Sequence, residues 1–346
     1  MEEKNIIEQQ RIKMQTPNLF THATKELSQD ALICYMLEWA DDKFKDSHSK
    51  SYKVGVRLLD GFFGKYEDII KPRNYSIEIK KQFGDIDILC IVNKKYHIII
   101  EDKTNTSHHD NQLDKYYNLI SKDLNIDSEN ILCIYYKSGE EYNLSQLNGQ
   151  TATGISWEYK LFSKDDILDV LNMELDNQIL IDYQCHIANL AIESNYKKLD
   201  ISDWTTNTWI SFVRDLKLGG NLTHGRGANK GVYFQYTIID NDKIGFYLRI
   251  SFEKRKIQFK LENEGDEPTK ELGLKYFELL DKYSKNIKIK KVKFSSSKQT
   301  MTIAETDAIF LIVDDNNLID FAKTKDFIAQ TIKIHNSIVE NVNNQT

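Results

Sequence analysis

Residues 87–103 read DILCIVNKKYHIIIEDK, two apolar runs separated by Asn93-Lys94-Lys95. Runs this short, this rich in Ile and Val and this close together fold as neighbouring antiparallel strands. A loop over 93–95 pairs Val92 with Tyr96 and, counting outward, sets Asp87 across from Glu101. Cross-strand partners hold their β-carbons about 4.5–5.5 Å apart. Side chains alternate along a strand, so Lys103 shares the face of Glu101 and Asp102 turns to the other. A slip of one residue would divide the carboxylates between the two faces. Loop length alone therefore brings two carboxylates and an ammonium together, at the end of strands that otherwise read as buried.

Two carboxylates that close repel one another unless positive charge lies between them. Mg²⁺ suits such a place, because it takes one or two carboxylates plus waters and phosphate oxygens; Mn²⁺ is a substitute. Such a metal polarises a phosphoryl oxygen and makes hydroxide available near neutral pH. A lysine beside it can hold the attacking water or stabilise charge building on phosphorus. The chemistry implied is metal-assisted phosphodiester hydrolysis. Asp87 and Glu101 are the metal ligands, the Asp102 backbone carbonyl is a further one, and Lys103 is the catalytic cation. The plainer alternative is a charged strand end with a surface ion pair, worth about 0–1 kcal/mol. Asp85 competes with Asp87 for the ligand role, but Asp87 lies nearest the apolar run and fits the pairing better.

The surrounding pattern places these strands in a larger unit. ELSQDALICYMLEWADDKF reads as a helix with Ser28 as N-cap and Leu32, Tyr35, Met36 and Trp39 at helical spacing. A second helix covers about 50–65, and NYSIEIKKQF reads as a strand. HDNQLDKYYNLISKDL is helical, with Leu113, Tyr117, Ile120 and Leu124 on one face, and NILCIYYK is the next strand. A helix joining two strands favours a parallel crossover in one sheet. Strand GISWEYKLF and helices over 164–196 extend the unit.

The order helix, three strands, helix, strand around Asp87 and Glu101-Asp102-Lys103 resembles the PD-(D/E)XK nuclease superfamily. Gln112 and Tyr116, in QLDKY, look like the Gln-x-x-x-Tyr pair of its RecB-type branch. KELSQDALICYMLEWA is similar to the opening helix of bacterial members with a Glu-x-Ser start, where the glutamate, here Glu26, completes the metal site. Ile86 stands where the family's proline precedes the aspartate. The resemblance covers about 20–195. It implies an α/β (α+β), restriction-endonuclease-like αβββαβ core on a mixed central sheet. It also implies a Mg²⁺-dependent nuclease, acting on DNA first, with bacterial defence, restriction or repair as settings by analogy. Gln112, Tyr116 and Glu26 would orient the site. Gln112 and Tyr116 can equally flank the buried stripe, and Glu26 can simply favour a helix N-terminus. An RNA-directed nuclease, or a binding module for nucleic acid or protein with a dead site, are the alternatives.

The expected domains are 1–200, carrying the nuclease-like core, and an α+β accessory domain at 201–346. In the latter, VYFQYTIID, KIGFYLRISF and KIQFKLEN form consecutive hairpins, followed by a helix near 269–284, strands near 286–313 and a last helix near 316–341. GRGANKG at 225–231 lacks the strand–loop–helix context of a nucleotide-binding P-loop and reads as a loop, basic and near phosphate or merely superficial. Lys282 to Lys298 contains seven lysines and no acid. It suits sequence-independent phosphate contact and equally the protection of a sheet edge.

A net charge of −6 excludes a polycation that coats nucleic acid, so a polyanion must be met by a metal or a local patch. No apolar run approaches the ~20 residues of a membrane span, and the N-terminus carries no apolar export signal, so a cytoplasmic protein without a membrane partner is expected. Cys34, Cys90, Cys133 and Cys185 are widely spaced, as free thiols in a reducing compartment would be. His108 and His109 are adjacent, which gives no chelating spacing. A homodimer or a defence-system partner is left open; no coiled-coil heptad supports dimerisation.

Overall fold

The structure, a computed structural model, describes residues 17–23, 26–104, 112–140, 147–150, 156–217, 221–226, 232–240, 244–251, 255–263, 269–294, 296–297 and 300–343. Its contacts divide the chain into two units, Met1–Ser194 and Asn195–Thr346.

In the first unit, helices α1 (Glu26–Glu38) and α2 (Ser49–Gly64) precede strands β1 (Ile77–Phe83), β2 (Ile86–Val92) and β3 (Tyr96–Lys103). Helix α3 (Gln112–Asn118) follows, running into a π-helical turn over Leu119–Asp123, and then β4 (Ile131–Lys137). A small hairpin of β5 (Asn148–Gln150) and β6 (Ser156–Glu158), strand β7 (Lys160–Ser163), α4 (Lys164–Leu171) and α5 (Gln178–Glu193) complete the unit. The main sheet has the order β1-β2-β3-β4-β7. Its first three strands are antiparallel, and β4 and β7 add in parallel. The result is a mixed sheet built on the αβββαβ order.

The β2–β3 register follows from the loop: Val92 pairs with Tyr96 and Ile88 with Ile100. Asn93 and Lys94 adopt left-handed φ of 54° and 56°. Asn tolerates that region better than most residues, and here its Oδ1 accepts from the Ser76 backbone N–H at 2.7 Å. Both faces of the hairpin are covered, which is why its sequence is apolar throughout instead of alternating. Ile88, Cys90, Val92, Ile98 and Ile100 pack with Ile33, Leu37, Phe62, Leu171 and Tyr183 from α1, α2, α4 and α5. On the other face Leu89, Ile91 and Ile99 pack with Leu113, Tyr116 and Tyr117 of α3, and with Tyr135 and Tyr159. Burying one such aliphatic side chain is worth about 1.5–3 kcal/mol. This core, and not any charge pair at the strand ends, holds the register that the loop sets.

Three elements depart from the sequence expectations. Ser28 lies inside the first turn of α1, which starts at Glu26. The core-facing stripe of Leu37 and Ile33 continues back through Asp30 and Gln29, both buried, to Glu26. GISWEYKLF is not one strand. Ser156–Glu158 pairs with β5 and Lys160–Ser163 joins the main sheet, because Tyr159 between them is buried and its N–H binds the Leu147 carbonyl at 2.7 Å. The third departure is in the second unit, where α6 (Thr206–Leu216) is an element the sequence expectations lack, although Trp209, Phe212, Val213 and Leu216 fall at helical spacing; a reciprocal Thr205–Thr208 capping box starts it.

The second unit continues with β8 (Asn221–Arg226), β9 (Val232–Asp240), β10 (Ile244–Ser251) and β11 (Lys256–Asn263). Then come α7 (Lys270–Tyr283), β12 (Ile289–Lys291), β13 (Ser296–Ser297), β14 (Thr300–Thr306) and α8 (Phe321–Asn343). These strands make one antiparallel sheet, β12-β14-β11-β10-β9-β8, with β13 also on β14. It is the expected α+β part. Phe259, Leu261 and Ile303 pack with Phe212, Leu280, Ile328 and Ile338. Gly225 and Arg226, read as loop, end strand β8, and the rest of GRGANKG lies outside the described residues.

Gly55 sets the spacing of α1 and α2. A β-carbon there would lie 2.6 Å from the Met36 carbonyl oxygen and would also strike the Ala40 backbone nitrogen. Both obstacles are backbone, so a side chain cannot simply swing away. We expect Gly55→Ala to destabilise the protein by about 1–3 kcal/mol, despite alanine's better helix propensity. A lowered midpoint in thermal or denaturant unfolding checks this, and an unchanged midpoint refutes it.

Candidate active site

At the end of β3 the alternation of side chains divides Glu101-Asp102-Lys103 between the two faces of the sheet. Glu101 and Lys103 point to the α3 face and Asp102 to the α1 face. Glu101 is fully buried, and its Oε1 lies 2.5 Å from Lys103 Nζ. Lys103 Nζ is also 3.8 Å from Asp87 Oδ2. The register places Asp87 next in line after the Ile88–Ile100 pair, across from Glu101. The Asp102 backbone N–H donates to Asp87 Oδ2 at 3.1 Å, which fixes that carboxylate at the strand end. Asp85 stands apart from this trio: it sits in the β1–β2 turn with φ 70°, is exposed, and pairs with Lys115.

Burial, then the charge of Asp87, pushes the Glu101 carboxyl up to about 8, against the pull of Lys103. Burial lowers the Lys103 ammonium, but Glu101, Asp87 and Glu26 outweigh it and the net shift is upward. Lys103 is therefore a cation at neutral pH, held between two acids. Glu101 Oε2 is buried with no hydrogen-bond partner among the described residues.

The remaining expected residues gather around this centre. Glu26, at the start of α1, accepts from the Thr104 backbone N–H at 3.2 Å and acts on Lys103 through its charge. Gln112 donates to the Tyr116 hydroxyl at 2.7 Å. Burial first, then Glu101 and Asp87, raise that phenol, so Tyr116 lies within the field of the carboxylates. Tyr116 is also a core residue. Its ring packs in the core while its hydroxyl meets Gln112. His108 and His109 lie outside the described residues.

Three residues escaped the sequence reading. Gln29 of α1 donates to Asp102 Oδ1. Asp30 beside it is buried, and burial followed by the charge of Asp87 lifts it to about 6. Asp102 is raised too, by burial and then Asp30 and Asp87, against the Gln29 hydrogen bond. Gln29 and Asp30 lie near the start of α1, where the core-facing stripe turns polar, a pattern that an exposed helix start shows equally. Gln82 is the third. It stands across from Asp87 in the β1–β2 register, with φ 51°, and its amide donates to Asp87 Oδ1 at 3.4 Å. Nothing in the sequence marks it.

Among the described residues no group of three or more His, Cys, Asp or Glu is placed to hold a metal. The donors that do converge, Asp87 and Glu101, are hard oxygens, and one of the Glu101 oxygens is unsatisfied. Mg²⁺ needs no more than that from a protein, since waters and phosphate fill the rest of its shell. The residues fit the ion.

Comparison with protein families matches residues 18–201 to the PD-(D/E)XK nuclease superfamily. Comparison with curated proteins and with solved structures gave no match. The match spans more than half of the chain and contains all the candidate site residues, and the protein belongs to this superfamily of phosphodiester-cleaving enzymes, whose members typically depend on a divalent metal.

A buried acid with a raised folded pKa favours folding while it is protonated. For Glu101 that stabilisation is complete below its ordinary value of 4.5 and is lost as pH rises through about 8. Asp30, raised to about 6, acts in the same direction. The metal-free protein should therefore lose stability from pH 5 to 8, and Glu101→Gln should flatten the profile. Unfolding free energies measured in EDTA over that range test this; a wild-type profile that rises with pH would contradict it.

Proposed function

We propose that the protein is a Mg²⁺-dependent nuclease, acting on DNA, with Mn²⁺ able to replace Mg²⁺. The observation that carries this reading is the convergence of Asp87, Glu101 and Lys103 at one strand end, beside Gln112–Tyr116, in a chain of this superfamily. Asp87 and Glu101 hold the metal, with the Asp102 carbonyl as a further donor. The bound ion supplies Lewis acidity to the phosphoryl group and to water.

The chain's own residues do the rest. Lys103 is charged, buried and tied to both carboxylates, so it can orient a water or meet the negative charge that builds on phosphorus. The Asp102 N–H and Gln82 hold Asp87 in place. Gln112 fixes the Tyr116 hydroxyl, and Glu26 steadies the chain at Thr104. Low solvent access strengthens each of these electrostatic contacts. Cys34, Cys90 and Cys133 are buried free thiols, as suits a reducing cytoplasm. No helix among the described residues is long and apolar enough to cross a membrane.

The test is cleavage of plasmid, linear duplex, single-stranded DNA and RNA by the full chain in Mg²⁺, Mn²⁺ or EDTA. Lys103→Ala and Glu101→Ala should each lower the rate by about 10²–10³ or more. Gln112→Ala should cost less, because it acts through Tyr116. Cutting that survives EDTA, or survives Glu101→Ala undiminished, would overturn the reading. Preference for RNA would redirect it.

A further inference from the structure

The second unit carries a concentration of positive charge that the cleft does not use. Lys282, Lys285, Lys288, Lys290, Lys291 and Lys293 are all exposed. They run from the end of α7 through β12 and past it. Strand β12 lies at the border of its sheet and pairs only with β14 among the described strands. Lys288 pairs with Asp307 at 3.2 Å. Lys291 lies over the rings of Phe277 and Phe294, at 5.3 and 5.1 Å. Lys285, Lys290 and Lys293 take part in no ion pair among the described residues. The acid across from Lys290, Glu305, is engaged by Lys256 at 3.4 Å.

Edge protection accounts for cations on the strand itself. It does not account for Lys285, before the strand, or Lys293, after it. Lys285 also lines a cleft of ≈480 Å³ with Asn286, Gln330 and Lys333, in which Asp326 is the acid. A continuous run of cations on an acidic protein, extended beyond the strand at both ends, complements a polyanion with regularly spaced charge.

We propose that β12 and the segments flanking it form a docking surface for the phosphate backbone of duplex DNA, with Lys285, Lys290 and Lys293 as its principal contacts. The inference rests on the reading of the chain as a DNA-directed nuclease and adds where the substrate is gripped. The contacts are to phosphate alone, so binding is independent of sequence and weakens steeply with salt.

The experiment uses the full chain and a labelled duplex in EDTA, so that binding is read without cleavage, across a series of salt concentrations. K285E/K290E/K293E should lose affinity about tenfold or more, and the slope of log K against log salt should fall by about 2–3. K270E/K275E/K323E, with the same change in charge on α7 and α8, should keep the wild-type slope. Equal thermal midpoints confirm that both variants are folded. Three outcomes would overturn the inference: no duplex binding by wild type, an unchanged slope in the first variant, or an equal loss in the second. Cleavage by the wild type is scored separately, so a failed docking surface and a failed active site are told apart.

Discussion

The candidate site depends on one largely desolvated contact, Glu101 against Lys103. Glu101 is fully buried and Lys103 nearly so, and each makes the other tolerable. Removing one partner from a buried pair costs about 3–5 kcal/mol, far more than an exposed pair is worth. Asp87 adds a second acid to the same ammonium, so the charges do not balance within the trio. Burial first, and then that second acid, push the carboxyl of Glu101 toward its neutral form when only Lys103 answers it.

The sheet makes this possible by being buried on both sides. A hairpin open to water on one face would hydrate its terminal charges and leave them as a weak surface pair. Here the α3 layer closes over Glu101 and Lys103, while the α1 layer receives Asp102 through Gln29. Three consecutive residues thus serve two layers.

Much of this was legible in the sequence, for identifiable reasons. The 93–95 loop counts residues, and counting fixes the register and the neighbours Asp87 and Glu101. The αβββαβ order followed from apolar periodicity. What was not legible came from tertiary burial. Gln29 and Asp30 read as an ordinary polar first turn, and only docking of α1 makes them interior residues. Tyr159 breaks an apparent single strand because it is drawn into the core. Gln82 takes a left-handed backbone, which composition does not announce. The split of GISWEYKLF and the start of α1 at Glu26 follow from the same cause: burial overrode local preference.

The hydrogen bond from Gln29 to Asp102 joins residues 73 positions apart, and that from Thr104 to Glu26 spans 78. Loops of that length close at an entropic cost, before any contact rewards them. The β2–β3 hairpin, in contrast, is local and can form early. Its charged end therefore needs only a short loop to close, whereas its brace to α1 needs one of more than seventy residues. In the order of synthesis α1 precedes the hairpin, so the brace already exists when the strand end forms; what the strand end awaits is docking, and the finished site belongs only to the folded unit.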